Sequence, residues 1–245
     1  MRNARGAGPR HGLARVLSKR GICSRSEAER RVRDGRVQLD GRVIRDPEHP
    51  THPSTAIILV DGVEAGARTP RYLVLNKPRG LVTTLRDEQG RDTVYRCFDG
   101  ADLGWIAPVG RLDKASEGLL LFSNDPAWAS RITDPQTGPH KTYHVQVDCI
   151  PAPALLAQVV RGVDMEGERL SAANATLLRA GDKHAWLEIT LDEGRNRQIR
   201  RLLAAFDVGV LRLVRVAIGA LVLGDVPKGQ WRHLTDAEVS ALSGD

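Results

Sequence analysis

The stretch Val109-Gly-Arg-Leu-Asp-Lys-Ala-Ser-Glu-Gly-Leu-Leu-Leu-Phe-Ser-Asn124 places the tightest constraint on what this chain can fold into. Its apolar run, Leu119 to Phe122, reads as a buried strand, which requires a sheet with a core packed against it. Gly110 and Gly118 bracket the segment, so Asp113 sits in a short loop held by a rigid element yet reachable from outside. Residue type alone leaves the role of that carboxylate open, because most loop aspartates make local turns or surface ion pairs.

With 245 residues and 41% hydrophobic content, the chain can bury a real core and is expected to divide into a small and a larger domain. No apolar run approaches the roughly 18 residues that a membrane helix needs. Met1 to Arg10 has no apolar core for a secretory signal and reads as a disordered basic tail. Cys23, Cys97 and Cys149 are odd in number, far apart and without a Cys-x-x-Cys spacing, so a reducing, cytoplasmic setting is expected. His49 and His52 have no Cys or carboxylate cluster beside them at metal-ligand spacing, and no metal site is expected.

Charge is unevenly placed. Residues 1–50 hold 13 Lys+Arg against 6 Asp+Glu, a net of +7, whereas the whole chain carries +6. The N-terminal fifth therefore has the footprint of a polyanion binder, or else a solvated basic face. Within residues 11–63, Leu13, Val16 and Leu17 have helical spacing, and Lys19-Arg20-Gly21 supplies cations and a stop. Ser24 with Glu27 forms a capping box for a second helix whose inner stripe is Ala28 and Val32. Arg25, Arg30, Arg31 and Arg33 cover much of its remainder, a density that should repel itself without an anionic partner. Asp40-Gly41 is a two-residue hairpin signal, and Ala56 to Val60 a closing strand; residues 64–69 read as a linker.

In residues 70–245, Tyr72 to Leu75 reads as a buried strand and Asn76-Lys77-Pro78-Arg79-Gly80 as the turn leaving it. Asp125-Pro126 starts a helix, and Lys141 to Val147 alternates as a strand with Tyr143, Val145 and Val147 on one face. Pro151 to Arg161 is an expected helix with Leu155, Leu156, Val159 and Val160 inward. In Glu193-Gly-Arg-Asn-Arg-Gln-Ile-Arg-Arg201, Ile199 opens the spacing continued by Leu202, Leu203 and Phe206, so a helix buries that face. At about 100° per residue Arg200 lies near the edge of the apolar face, while Arg197 and Arg201 point well away from it. Thr235 with Glu238 is a further capping box.

Four of these segments together resemble a known family. Gly-Arg-Leu-Asp-x-x-Ser-x-Gly-Leu around Asp113, Tyr-x-x-x-Asn-Lys-Pro-x-Gly from Tyr72, Lys-x-Tyr-x-Val from Lys141 and the Arg-rich segment from Glu193 are similar to the motifs of ribosomal RNA pseudouridine synthases of the RsuA/RluB type. Gly21 to Glu29 resembles the S4 RNA-binding domain. The resemblance implies an α+β fold: an S4 module (11–63), a linker (64–69), and a catalytic domain (70–245) on a mixed, largely antiparallel sheet with flanking helices.

It also implies a chemistry. Asp113 is the expected catalytic carboxylate, Arg200 its ion-pair partner, and Tyr143 the ring that lies against the target base. Ile199 lines the pocket, and Arg111, Arg195, Asn196 and Arg197 contact substrate. Arg25, Arg30, Arg31 and Arg33 are expected on RNA phosphates. The reaction is isomerisation of uridine in ribosomal RNA or an assembly intermediate, with large-subunit RNA ahead of small-subunit RNA. No cofactor, metal or membrane is involved, and a monomer is expected. Two other readings remain: a non-catalytic RNA-binding or ribosome-assembly protein, and a glycosidase using Asp113 with Glu117.

Overall fold

A computed structural model describes residues 9–66, 68–85 and 87–243. The chain divides into two compact units. One holds the chain up to Arg71 with Asp102–Ala107 and Ser123–Ala127; the other holds Tyr72–Ala101, Pro108–Phe122 and the chain from Trp128 onward. Most of the expected basic tail, Met1 to Gly8, lies outside the described residues.

The first unit runs β1 (His11–Gly12), α1 (Leu13–Lys19), α2 (Arg25–Arg33), β2 (Val37–Leu39), β3 (Arg42–Val43), β4 (Pro50–Thr51), β5 (Ile58–Val60) and β6 (Val63–Glu64). Leu13, Val16 and Leu17 of α1 meet Ala28 and Val32 of α2 over Val37 and Ile58 of the sheet, all fully buried. The sheet order is β3-β2-β5-β6, and both hairpins turn on an Asp-Gly pair. Asp40 and Gly41, like Asp61 and Gly62, all have positive φ, the geometry a two-residue hairpin of right-handed twist requires. The packing runs past Val63: Ala65 is buried and its N–H donates to Ile58 O at 2.7 Å. Arg20 ties this unit together from inside, donating to the carbonyls of Pro53, Ala56 and Ala65.

On α2 half of the capping box forms. Ser24 Oγ accepts from Glu27 N–H at 3.2 Å, but the Glu27 carboxylate turns along the helix to Arg30 and Arg31 instead of reaching back. This corrects the expectation of unrelieved repulsion. Arg25 and Arg33 pair with Glu29 because i, i+4 spacing brings each over the glutamate, and Arg25 also reaches Glu48 from outside the helix. Such exposed pairs contribute little and leave the guanidinium groups open to exchange for phosphate.

From Tyr72 onward the chain runs β7 (Tyr72–Lys77), β8 (Ala107–Val109), β9 (Glu117–Ser123), α3 (Pro126–Thr133), β10 (Lys141–Val147), α4 (Pro153–Arg161), β11 (Val163–Met165), β12 (Glu168–Leu170), β13 (Asn174–Ala180), β14 (Ala185–Leu191), α5 (Gln198–Ala204), β15 (Val210–Ile218), β16 (Leu221–Val222), β17 (Trp231–His233) and α6 (Asp236–Ser243). A nine-stranded sheet is ordered β13-β14-β10-β15-β9-β7-β17, with β16 added on β15 and β8 on β9. It is mixed: β10 pairs antiparallel with β14 and β15, whereas β15 and β9 are parallel. The architecture is α+β, as the sequence indicates.

β9 is buried at all seven positions, in keeping with its unbroken apolar run, and β10 alternates with Tyr143, Val145 and Val147 inside. Asp125 caps α3 by accepting from Ala127 N–H at 2.9 Å, and the Thr235–Glu238 box before α6 closes in both directions. α4 starts at Pro153, not Pro151, and buries Val159 fully while Val160 faces out.

Candidate active site

Between β8 and β9 the chain makes the loop that carries Asp113. Ser116 N–H donates to Asp113 O at 3.0 Å, closing a turn. Three bonds from the segment after β7 then fix the loop from one side. Gly80 N–H donates to Lys114 O at 2.8 Å, Thr83 Oγ1 donates to Leu112 O at 2.7 Å, and Leu112 N–H returns a bond to Thr83 Oγ1. Beneath it lies Lys77, wholly buried, whose ammonium donates to Ser116 O at 2.9 Å and to Pro78 O at 3.0 Å.

Lys77 ends β7, where the sequence suggests an exposed turn; no residue-type signal marks a lysine for burial there. Burial lowers its pKa to about 8, with Cys97, Glu117 and Asp113 pulling the other way. A neutral amine still has two N–H groups for the two carbonyls, so deprotonation relieves the desolvation without breaking the anchor. The unfolded chain holds this proton more tightly, so the Lys77 contribution to stability rises as pH goes from about 8 toward the ordinary lysine range and is flat below it. Lys77→Met should abolish that rise in urea unfolding and lower kcat by about a hundredfold, the cost of an ångström of loop displacement. A variant with wild-type kcat would show that the loop needs no such support.

A cavity of about 590 Å³ opens beside the loop, within the range of small-molecule and base-sized sites. Asp113, Arg111, Tyr143, Ile199, Arg195, Asn196 and Arg197 all line it, and so do Lys141, the first residue of the Lys-x-Tyr-x-Val motif, and Arg215, which lies outside the motifs. Tyr143 and Ile199 are buried, giving an apolar wall, while Arg111, Asn196 and Arg197 are exposed at the rim.

Arg200 is not where the sequence puts it. Its Nη1 donates to Val210 O at 3.0 Å, while Nε and Nη2 are buried without partners. The expected ion pair with Asp113 does not form. Among the described residues, the cation paired with Asp113 is Arg197, with Nη1 at 3.9 Å from Oδ2. The cause is the backbone path ahead of α5. Glu193 to Arg197 is a loop, and α5 begins only at Gln198, with Arg197 at φ 48°, ψ 32° as its N-cap. That left-handed turn redirects Arg197 toward the cavity, so a helical wheel extended back from Ile199 misplaces it. Gln198, buried, stabilises the loop by accepting from Arg195 N–H and donating to Ser171 O and Glu193. Arg200 still senses Asp113: burial and Arg197 lower its pKa, and Asp113 opposes them.

Arg195 is engaged by Glu193 at 2.6 Å and Glu168 at 3.0 Å, and Arg201 by Glu168 at 2.6 Å. Glu117, the other half of the imagined carboxylate pair, is buried and held by Arg212 at 3.1 Å and by Lys228. These partners hold its carboxyl below the usual range despite burial, so Glu117 is a fixed anion away from the cavity lining and unsuited to proton transfer. No group of three or more His, Cys, Asp or Glu that could hold a metal occurs among the described residues.

With this geometry in view, the family relationships are direct. Residues 71–205 match the RNA pseudouridylate synthase model and residues 12–57 the S4 domain model. The chain belongs to the RNA pseudouridine synthase family and is therefore an isomerase acting on RNA. The S4 domain ahead of the synthase domain sets it within the RsuA/RluB type. It is 35% identical over 231 residues to an RNA pseudouridine synthase of Aquifex aeolicus, covering 94% of this chain and 92% of that one. It is also 34% identical to the ribosomal large subunit pseudouridine synthase B of Bacillus subtilis, over 94% of each chain. A crystal structure of a pseudouridylate synthase superposes with a TM-score of 0.67 at 28% identity, over 96% of this chain and 100% of the other.

Proposed function

We propose that this enzyme converts a specific uridine of large-subunit ribosomal RNA to pseudouridine, with Asp113 as the catalytic carboxylate. The observation that carries the reading is the position of Asp113: on a loop fixed by its own turn, by the segment after β7 and by Lys77 beneath, at the wall of a base-sized cavity that a buried tyrosine also lines. The reaction breaks the N1–C1′ bond, turns the uracil, and joins C5 to C1′; the proton leaving C5 is balanced by one gained at N1. No redox change or net hydrolysis occurs. The target nucleotide leaves the RNA stack and its base lies on Tyr143 against Ile199, which excludes water from the detached ring.

Asp113 then faces the glycosidic bond, the place a carboxylate must occupy whether it attacks sugar or base or removes a sugar proton. Arg197 fixes its orientation from the rim, and Arg200 adds positive potential from behind without a direct bond. Large-subunit RNA is favoured by the Bacillus subtilis relative, whose name specifies that subunit. Carbodiimide labelling of isolated large- and small-subunit RNA incubated with the protein tests this. A new stop at one large-subunit position is expected; labelling of small-subunit RNA alone overturns the subunit assignment, and no labelling of either overturns the activity on free RNA.

Phosphate recognition by the S4 unit is assigned to Arg25, Arg30, Arg31 and Arg33, whose carboxylate partners lie on the surface and exchange readily. Replacing all four with alanine should weaken RNA binding and make the slope of log K against log salt shallower by roughly 3 to 4, close to one per phosphate contact. An unchanged slope would remove these residues from the interface.

A further inference from the structure

Arg215 is a buried charge to which the reading above gives no role. It lies in the middle of β15, is 5% exposed, and lines the cavity. One edge of its guanidinium is fixed: Nε donates to Leu119 O at 2.7 Å. Among the described residues, Nη2 is buried and has no hydrogen-bond partner, and no carboxylate lies within ion-pairing distance of the group. An orphaned donor of this kind costs free energy that a folded protein ordinarily avoids, unless a partner arrives with a ligand.

Its placement says what that partner is. In the β10–β15 ladder Arg215 stands directly opposite Tyr143, so the two side chains are neighbours on one face of the sheet. A six-membered ring lying on Tyr143 brings its edge to Arg215. Lys141, two residues before Tyr143 on the same face, is a second cation lining the cavity, held below the usual lysine range by burial and by Arg215. Arg215 and Lys141 both present donors to this part of the cavity. The approach itself is built in: Gly118 sits beside Arg215 in the parallel β9–β15 pair, with φ at 98°, and a Cβ there would lie 2.2 Å from Arg215 O.

We propose that Arg215 is a specificity-determining residue whose free Nη2 donates to O4 of the flipped uracil. Arginine can only donate. It accepts a uracil at this edge and rejects a cytosine, whose 4-amino group would set two donors against each other. The proposal rests on the base-on-Tyr143 reading above and adds the identity of the edge that is read.

The test is a binding cycle on an RNA fragment carrying the mapped target uridine. A second fragment has the pyrimidin-2-one ribonucleoside there, which lacks O4 and, with it, the N3 proton; the Arg215 variants separate the two losses. Dissociation constants are measured for both RNAs with wild type, R215M and R215K; the lysine keeps a charge and one anchor but cannot serve Leu119 O and the base together. Wild type should bind the O4-lacking RNA about tenfold or more weakly, the worth of a hydrogen bond to a charged donor. R215M and R215K should bind the two RNAs within about twofold of each other. Equal affinity of wild type for both RNAs overturns the proposal, and so does the same discrimination in a folded variant, the pattern of a structural role or a phosphate contact. A fragment that shows no pseudouridine after treatment with wild type would mark failure of the proposed function instead.

Discussion

Asp113→Asn is expected to fold, bind RNA and form no detectable pseudouridine, a loss of at least about a thousandfold. The substitution keeps the shape of the side chain and the Ser116 turn, which uses the backbone carbonyl of residue 113, not its side chain. It removes the negative charge that Arg197 faces at 3.9 Å, and the amide is neither a nucleophile nor a base of useful strength. Affinity should change much less than rate, because the neighbouring side chains carry binding. A folded Asp113→Asn protein with wild-type yield would reject the catalytic role of this residue.

Gly118→Ala should be the most destabilising single change near the site, by about 3 kcal/mol or more, the joint cost of left-handed strain and overpacking. The residue holds φ at 98°, and its new methyl would lie 2.2 Å from Arg215 O and 2.9 Å from Arg215 N. Those are backbone atoms and cannot swing away. β15 must move off β9, breaking the register Val214 to Glu117 and Arg215 to Gly118 and with it the Arg215 bond to Leu119 O. A thermal midpoint about 6 °C or more lower is expected for a chain of this size. A midpoint within a degree of wild type would mean that the strands are not this close.

How far the sequence reveals these features depends on whether the cause is local. Four apolar residues in a row leave Leu119 to Phe122 no place except inside a sheet, and alternation fixes Lys141 to Val147 at both ends. Asp-Gly at 40–41 carries its own turn geometry. Asp61-Gly62 carries the same signal and is hidden only by reading the module as ending there. The Glu27 and Glu29 pairs were equally available from their spacing to the arginines.

Other features have no local cause. Lys77 is followed by Pro78, and burial of its ammonium depends on carbonyls brought in from residue 116. Arg197 departs from the helical wheel because Gln198 fastens the preceding loop to Ser171 and Glu193, contacts that periodicity does not see. Residues of the motifs meet at one cavity, yet the arginine beside Asp113 is Arg197 and not Arg200. Arg215, outside every motif, becomes visible only when β10 and β15 are laid side by side.

The central claim is that Asp113 is the carboxylate that makes one pseudouridine in large-subunit RNA. The most direct measurement maps pseudouridine across both ribosomal RNAs from a strain lacking the gene, and from the same strain supplied with wild type or Asp113→Asn. One large-subunit position should lose its pseudouridine on deletion, regain it with wild type and stay uridine with Asp113→Asn. A modification map unaltered by deletion, or one restored equally by both proteins, would contradict the account.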